Sequence, residues 1–147
     1  MIAGHLGEIL AVVATSDPST HANTEKFSDA IDMSKFDQVI GIALTGDMAS
    51  ETIDFKVYKC DSDGSNRTAL KSATQLAANA SANDNSQIVI AVRASDLNAN
   101  SEAARYITFG LVTGGATGGV ASIVALGLPV YGIAASNDLA TVKQIVF

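Results

Sequence analysis

From Phe27 onward the chain is a series of short runs in which apolar and polar residues alternate, each closed by turn-forming residues. The period is two rather than 3.6, and the runs recur about every ten to twenty residues, a rhythm that predicts an all-β sandwich. "KFSDAIDMS" places Phe27, Asp29, Ile31 and Met33 on one side of a first strand, with "MSKFD" as its corner. "QVIGIALTGDM" carries Ile40, Ile42 and Leu44 on one face and Val39, Gly41 and Ala43 on the other. Both faces are apolar, as in a central strand covered on each side. "ETIDFKVYK" sets Ile53, Phe55 and Val57 against Thr52, Asp54, Lys56 and Tyr58, a half-buried strand with one wet face.

After the turn "DSDGSN", Ala69–Leu76 reads as a short irregular strand and Ala77–Ser86 as a loop. "QIVIAVRASDL" returns to strand with Ile88, Ile90 and Val92 on one face. "ARYITFGLVTGG" and "GGVASIVALGLPVYG" form the last pair, joined through the glycine run "TGGATGG" at Thr113–Gly119. The pattern divides the chain into an N-terminal arm (1–24), a β-sandwich domain (25–131) and a C-terminal tail (132–147). Both arms are apolar. Such arms add strands to a partner or pack back on their own domain.

Composition sharpens this picture. Apolar residues make up 48% of the 147 residues and aromatics 5%, so the expected core is thin, made of small and β-branched side chains. With 9 basic and 15 acidic side chains the net charge is −6, and the basic residues are scattered, which counts against nucleic acid as a partner. The N-terminus lacks a basic region and contains Glu8, unlike a signal peptide. No run reaches the roughly 18 apolar residues that a membrane span requires. Cys60, the single cysteine, has no partner for an internal disulfide.

Each motif that could carry chemistry has a plainer reading. In "TGGATGG" the last glycine is followed by Val120, Ala121 and Ser122, without the Lys-Ser/Thr of a phosphate loop and without a following helix. It reads as a flexible hairpin or surface loop joining two strands. In "DSDGSN" Gly64 is the fourth residue with Asp61 counted as the first, too early for a calcium loop. His5 and His21 lack a cysteine pair to complete a zinc site, and Cys60 has no adjacent base. No catalytic residue, metal or cofactor is expected. Enzyme chemistry is disfavoured.

Three pieces carry a likeness. "SDAIDMSKFDQVIGIALTGDMASETIDFKVYKCDSDGSN", "SQIVIAVRASDLNANSEAARYITFGLVTGG" and "GGVASIVALGLPVY" resemble, in that order, the opening, later part and closing strand of tailed-phage head decoration (cement) proteins. The resemblance covers about two thirds of the chain, from Asp29 to Tyr131. Where the family often has a basic residue between the final proline and tyrosine, this chain has Val130.

The resemblance implies a jelly-roll-like antiparallel β-sandwich on the exterior of a phage capsid. Its implied partners are the major capsid protein and its own copies, often as a homotrimer, and its implied role is to brace the shell. The candidate assembly contacts are Ile2, Leu6, Ile9 and Leu10 in the N-terminal arm, Val130 and Tyr131 after the last strand, and Ile145, Val146 and Phe147 at the end. The alternatives are another virion component on the same fold, such as a head-fibre base or tail-associated protein, and a glycan-binding β-sandwich. The absence of Trp counts against the latter.

Overall fold

The computed structural model describes residues 9–48, 51–77, 84–97, 105–115, 117–130, 137–138, 141–144 and 146. The strands are β1 (Ala11–His21), β2 (Lys26–Phe27), β3 (Ile31–Asp32), β4 (Phe36–Thr45), β5 (Ile53–Cys60), β6 (Thr68–Ser72), β7 (Gln87–Arg93), β8 (Tyr106–Thr113) and β9 (Gly119–Pro129). A 3-10 turn, Ala94–Asp96, follows β7. One sheet has the order β1-β9-β4-β7, the other β2-β8-β5-β6, with β3 also pairing β8.

Every pairing is antiparallel and nested: β1 with β9, β2 and β3 with β8, β4 with β7, β5 with β6. First meets last, second meets next to last. This is a long hairpin rolled upon itself, closed into two sheets by the β4–β9 and β5–β8 pairs. The chain is therefore an all-β, jelly-roll-like sandwich.

Three features differ from the sequence reading. The segment 1–24, expected as an arm, contributes β1 from Ala11 onward, with Ala11, Ala14 and His21 buried. Its register shifts between Ser16 and Ser19, around Pro18. Proline has no N–H to give a ladder and is tolerated on an edge strand at such a bulge. The continuous strand expected over "KFSDAIDMS" is broken after Phe27, because the buried Ser28 bonds through its side chain as well as its backbone. Its hydroxyl accepts from Phe109 N at 3.1 Å, while Thr108 Oγ1 donates to Ser28 O at 2.8 Å. Finally, β8 and β9 lie in different sheets, so the glycine run is a crossing between sheets and not a hairpin.

The irregular strand expected at 69–76 is β6 followed by an isolated bridge between Leu76 and Ile53. Strands β5 and β7 have the expected inner faces, with Ile53, Phe55, Val57, Ile90 and Val92 buried and Ile88 half-buried.

The core is asymmetric. The β5–β8 sheet sends in large side chains, among them Phe55, Phe109, Ile107 and Leu111, and the two rings stack with centroids 5.7 Å apart. The four-stranded sheet answers with small residues at Ala14, Gly41, Ala43, Ala121, Ala125 and Gly127, beside Val39, Ile90, Val92 and Ile123. A Cβ built on Gly41 would stand 2.6 Å from Phe109 Cζ and closer to two other ring atoms. The ring rests on bare backbone.

Gly41→Ala is therefore expected to destabilise the protein by about 1–3 kcal/mol through overpacking. Gly46, whose Cβ would meet only ordinary contacts at 3.5 Å and beyond, serves as the control. Urea unfolding of both alanine variants checks this, and equal losses would refute the close-packing argument.

Candidate functional site

The glycine run does hold an anion, and the anion is the chain's own. Glu51, just ahead of β5, is buried, and its Oε1 accepts from Thr117 N and Gly118 N at 3.2 Å each. Successive backbone N–H groups turned inward make such an anion cradle. The other described amides of the loop are also used. Gly114 N donates to Thr52 O, Gly115 N to Asn23 Oδ1 and Gly119 N to Thr113 Oγ1.

Gly115 and Gly118 hold φ of +99° and +70°, and side chains there would collide with Glu51 and with His21 O. The conformation demands glycine. These described amides have no hydrogen left for a phosphate.

Histidine and cysteine chemistry is muted by burial. His21 is 1% exposed and neither ring nitrogen makes a hydrogen bond. Burial lowers its pKa below the ordinary 6.5, and the charge of Lys26 acts the same way. The backbones of Leu111 and Ala121 oppose the shift without reaching hydrogen-bond geometry. Cys60 is buried, and burial pushes its thiol up to about 11, so it stays protonated near neutral pH.

The "DSDGSN" carboxylates serve their own turn. Asp63 Oδ1 accepts from Ser65 N at 2.9 Å and Asp61 Oδ2 from Asn66 Nδ2 at 2.6 Å. Among the described residues no three His, Cys, Asp or Glu are grouped to hold a metal ion, and no helix is long and apolar enough to cross a membrane.

Two surfaces remain as candidates for binding. An open cleft of about 790 Å³ lies between β1 and the β2–β3 segment, lined in part by Asp17, Asp29, Asp32, Asp138, Phe27 and Tyr106. Asp32 forms a bidentate pair with Arg105, whose hydrogen bonds hold its carboxyl well below the usual carboxylate range. The Phe27 ring is capped by Arg67 at 3.8 Å.

The second surface is the outer face of the four-stranded sheet, which the sequence reading took as covered. Cross-strand register sets Val12, Leu126, Ile40 and Ala91 in one row and Thr15, Val124, Ile42 and Val89 in the next. Leu44, Val89, Val120 and Leu128 are exposed, Val89 by 58%. Contiguous apolar surface of this kind marks interaction sites. Its signal in the sequence is the run in β4 with apolar residues on both faces.

Of the sequence-predicted assembly contacts, Ile9 and Leu10 are half-buried just before β1. Val130 is half-buried, with its N–H on Lys35 O at 3.0 Å. Val146 is 79% exposed. Ile2, Leu6, Tyr131, Ile145 and Phe147 lie outside the described residues.

No protein-family model and no curated protein matches the chain. Among solved structures it is similar to a chain from the disulfide-linked pili of Bacillus endospore appendages, at 15% identity and a TM-score of 0.46, covering 92% of this chain and 98% of that one. It is also similar to the xylan-binding module CBM15, at 15% identity and 0.40, covering 83% and 97%. A third is Tobacco streak virus coat protein, at 8% identity and 0.35, covering 97% and 100%. No function is carried over from likenesses this distant. The head-decoration resemblance rests on the motifs quoted for it alone.

Two outcomes are expected. Glu51→Ala empties the cradle and leaves buried N–H groups unpaired, at a cost of about 1–3 kcal/mol, with Glu51→Gln milder because its amide oxygen still accepts. ATP should leave the thermal midpoint of the wild type unchanged. Separately, the unfolded chain takes up a proton on His21 below about pH 6.5 that the folded chain refuses, so stability falls as pH drops through that value, by up to about 1.4 kcal/mol per pH unit. Urea unfolding at pH 7.5 and 5 should show a smaller loss in His21→Leu than in the wild type; equal losses would clear His21 of the effect.

Proposed function

We propose that this protein is a non-catalytic virion structural module that binds the exterior of an assembled phage capsid and braces its subunits. The observation that carries the reading is the run of exposed apolar side chains on the outer face of the four-stranded sheet, a surface for assembly with neighbouring subunits, copies of this chain among them, on a fold whose cysteine and His21 are buried and whose glycine loop is filled by Glu51. The motif resemblance to head-decoration proteins supplies the location. A module that binds only the closed lattice stabilises it by mass action, because it must be lost before the shell opens. Many weak sites then add up.

A second reading, a glycan-binding sandwich, is favoured by the cleft beside β1. Carboxylates accept hydrogen bonds from sugar hydroxyls, and Asp17, Asp29 and Asp138 line that cleft. Binding of soluble polysaccharide that is lost in Asp29→Ala would favour it. Imaging the protein on particles separates a capsid site from a head-fibre or tail site.

The purified chain should sediment with expanded empty capsids and raise the temperature at which they open. Failure to sediment with either expanded or unexpanded shells would sink the capsid reading.

A further inference from the structure

The four-stranded sheet has two edges and two faces, and one face is the core. At the β1 edge, Val12 N donates to Asn137 Oδ1 at 2.8 Å and Val12 O accepts from Asp138 N at 2.7 Å. At the β7 edge, Thr45 N bonds Ser86 O, so alternation along the ladder turns the backbone groups of Val89, Ala91 and Arg93 away from β4. There Lys71 Nζ bonds Ala91 O at 3.0 Å, and Asp96 Oδ2 takes Arg93 N at 2.9 Å. A lysine on an edge strand's carbonyl discourages strand addition. Groups at both edges are thus engaged, while Leu44, Val89, Val120 and Leu128 on the outer face are exposed.

Charge narrows what can cover that face. The chain carries −6, yet the paired cross-strand rows of the outer face contain no carboxylate and Arg93, opposite Gln38, is their single formal charge; the exposed Asp37 stands at the bulge where β4 begins, beside these rows. The acidic side chains Asp17, Asp29 and Asp138 stand instead at the cleft beside β1. A basic partner would find a carboxylate only at the margin of this face, at Asp37, and none within its rows. Two equally acidic copies, by contrast, can meet closely only where neither presents carboxylates.

We propose that the outer face of the four-stranded sheet docks a second copy of this chain. The inference rests on the reading of the protein as an assembly module and names the partner of one of its surfaces. The contact is isologous, with the same rows on both sides, sheet packing on sheet at about 10 Å. Ile42 and Val124 lie at its centre, with Val89 toward the β7 side.

The test is sedimentation velocity of the full chain over a wide concentration range, at low and high salt. Association is expected, held or strengthened by salt, because screening relieves repulsion between like-charged copies. Val89→Asp and Val120→Asp, both at exposed positions, should keep the wild-type thermal midpoint at dilutions where the wild type is dissociated and weaken association by at least about tenfold. Lys71→Thr, at the edge, should associate as strongly as the wild type.

A wild type monomeric throughout, or both aspartate variants associating like it, would overturn the proposal. Loss of association in Lys71→Thr alone would also overturn it, in favour of an edge contact. A monomer that sediments with capsids sinks this inference and spares the capsid reading. A self-associating protein that ignores capsids does the reverse.

Discussion

The seat of the Phe109 ring on the bare backbone of Gly41 sets the terms for the rest of the sandwich. Sheets that pack face to face stand about 10 Å apart, and a phenyl ring from one leaves no room for a side chain directly opposite on the other. A second ring, Phe36, lies against Gly127 of the neighbouring strand in its own sheet, where a Cβ would come within 2.6 Å of the ring. Around these two seats the inner face of the four-stranded sheet carries Ala14, Ala43, Ala121 and Ala125 beside the larger Val39, Ile90, Val92 and Ile123. Ile40, Ile42, Val124 and Leu126 lie on the other side. The apolar outer face is the counterpart of a core that is filled mainly from one sheet.

Backbone polarity imposes the second constraint. Where β8 leaves one sheet and β9 enters the other, ladder hydrogen bonds stop, and buried amides must find other acceptors. Asn23, Thr52, Thr113 and Glu51 supply them, drawn from two other places in the chain besides the loop itself. Glycine is needed there for two reasons: positive φ at Gly115 and Gly118, and the closeness of Glu51 and His21 O to where side chains would project. A loop that resembles an anion site in composition is one in fact, with its ligand built into the fold.

How far the sequence could reveal this depends on the range of each interaction. Alternation in β4, β5 and β7 is local, and it marked those strands and the inward set Ile53, Phe55 and Val57 correctly. The break at Ser28 was hidden because it depends on Thr108 and Phe109, some 80 residues away. Glu51 was equally hidden, since it meets the glycine loop across 66 and 67 positions and no spacing rule connects them. The first eleven-residue strand looked like an arm because Pro18 and a run of Ser and Thr interrupt its alternation. The all-apolar pattern of β4 was visible but ambiguous: it fits a strand covered by its own chain or one that awaits cover from outside.

That ambiguity has an energetic side. Fully burying a Val, Leu or Ile side chain gains roughly 1.5–3 kcal/mol over leaving it exposed, whereas alanine has little to bury. The four-stranded sheet thus draws only part of its possible stabilisation from the core and holds the remainder on a face that water still reaches. Anything that covers that face adds to the stability of the sheet itself, so binding and folding are linked through the same side chains. A chain whose folded state gains from docking is suited to an assembly in which it is held only where its partner surface is complete.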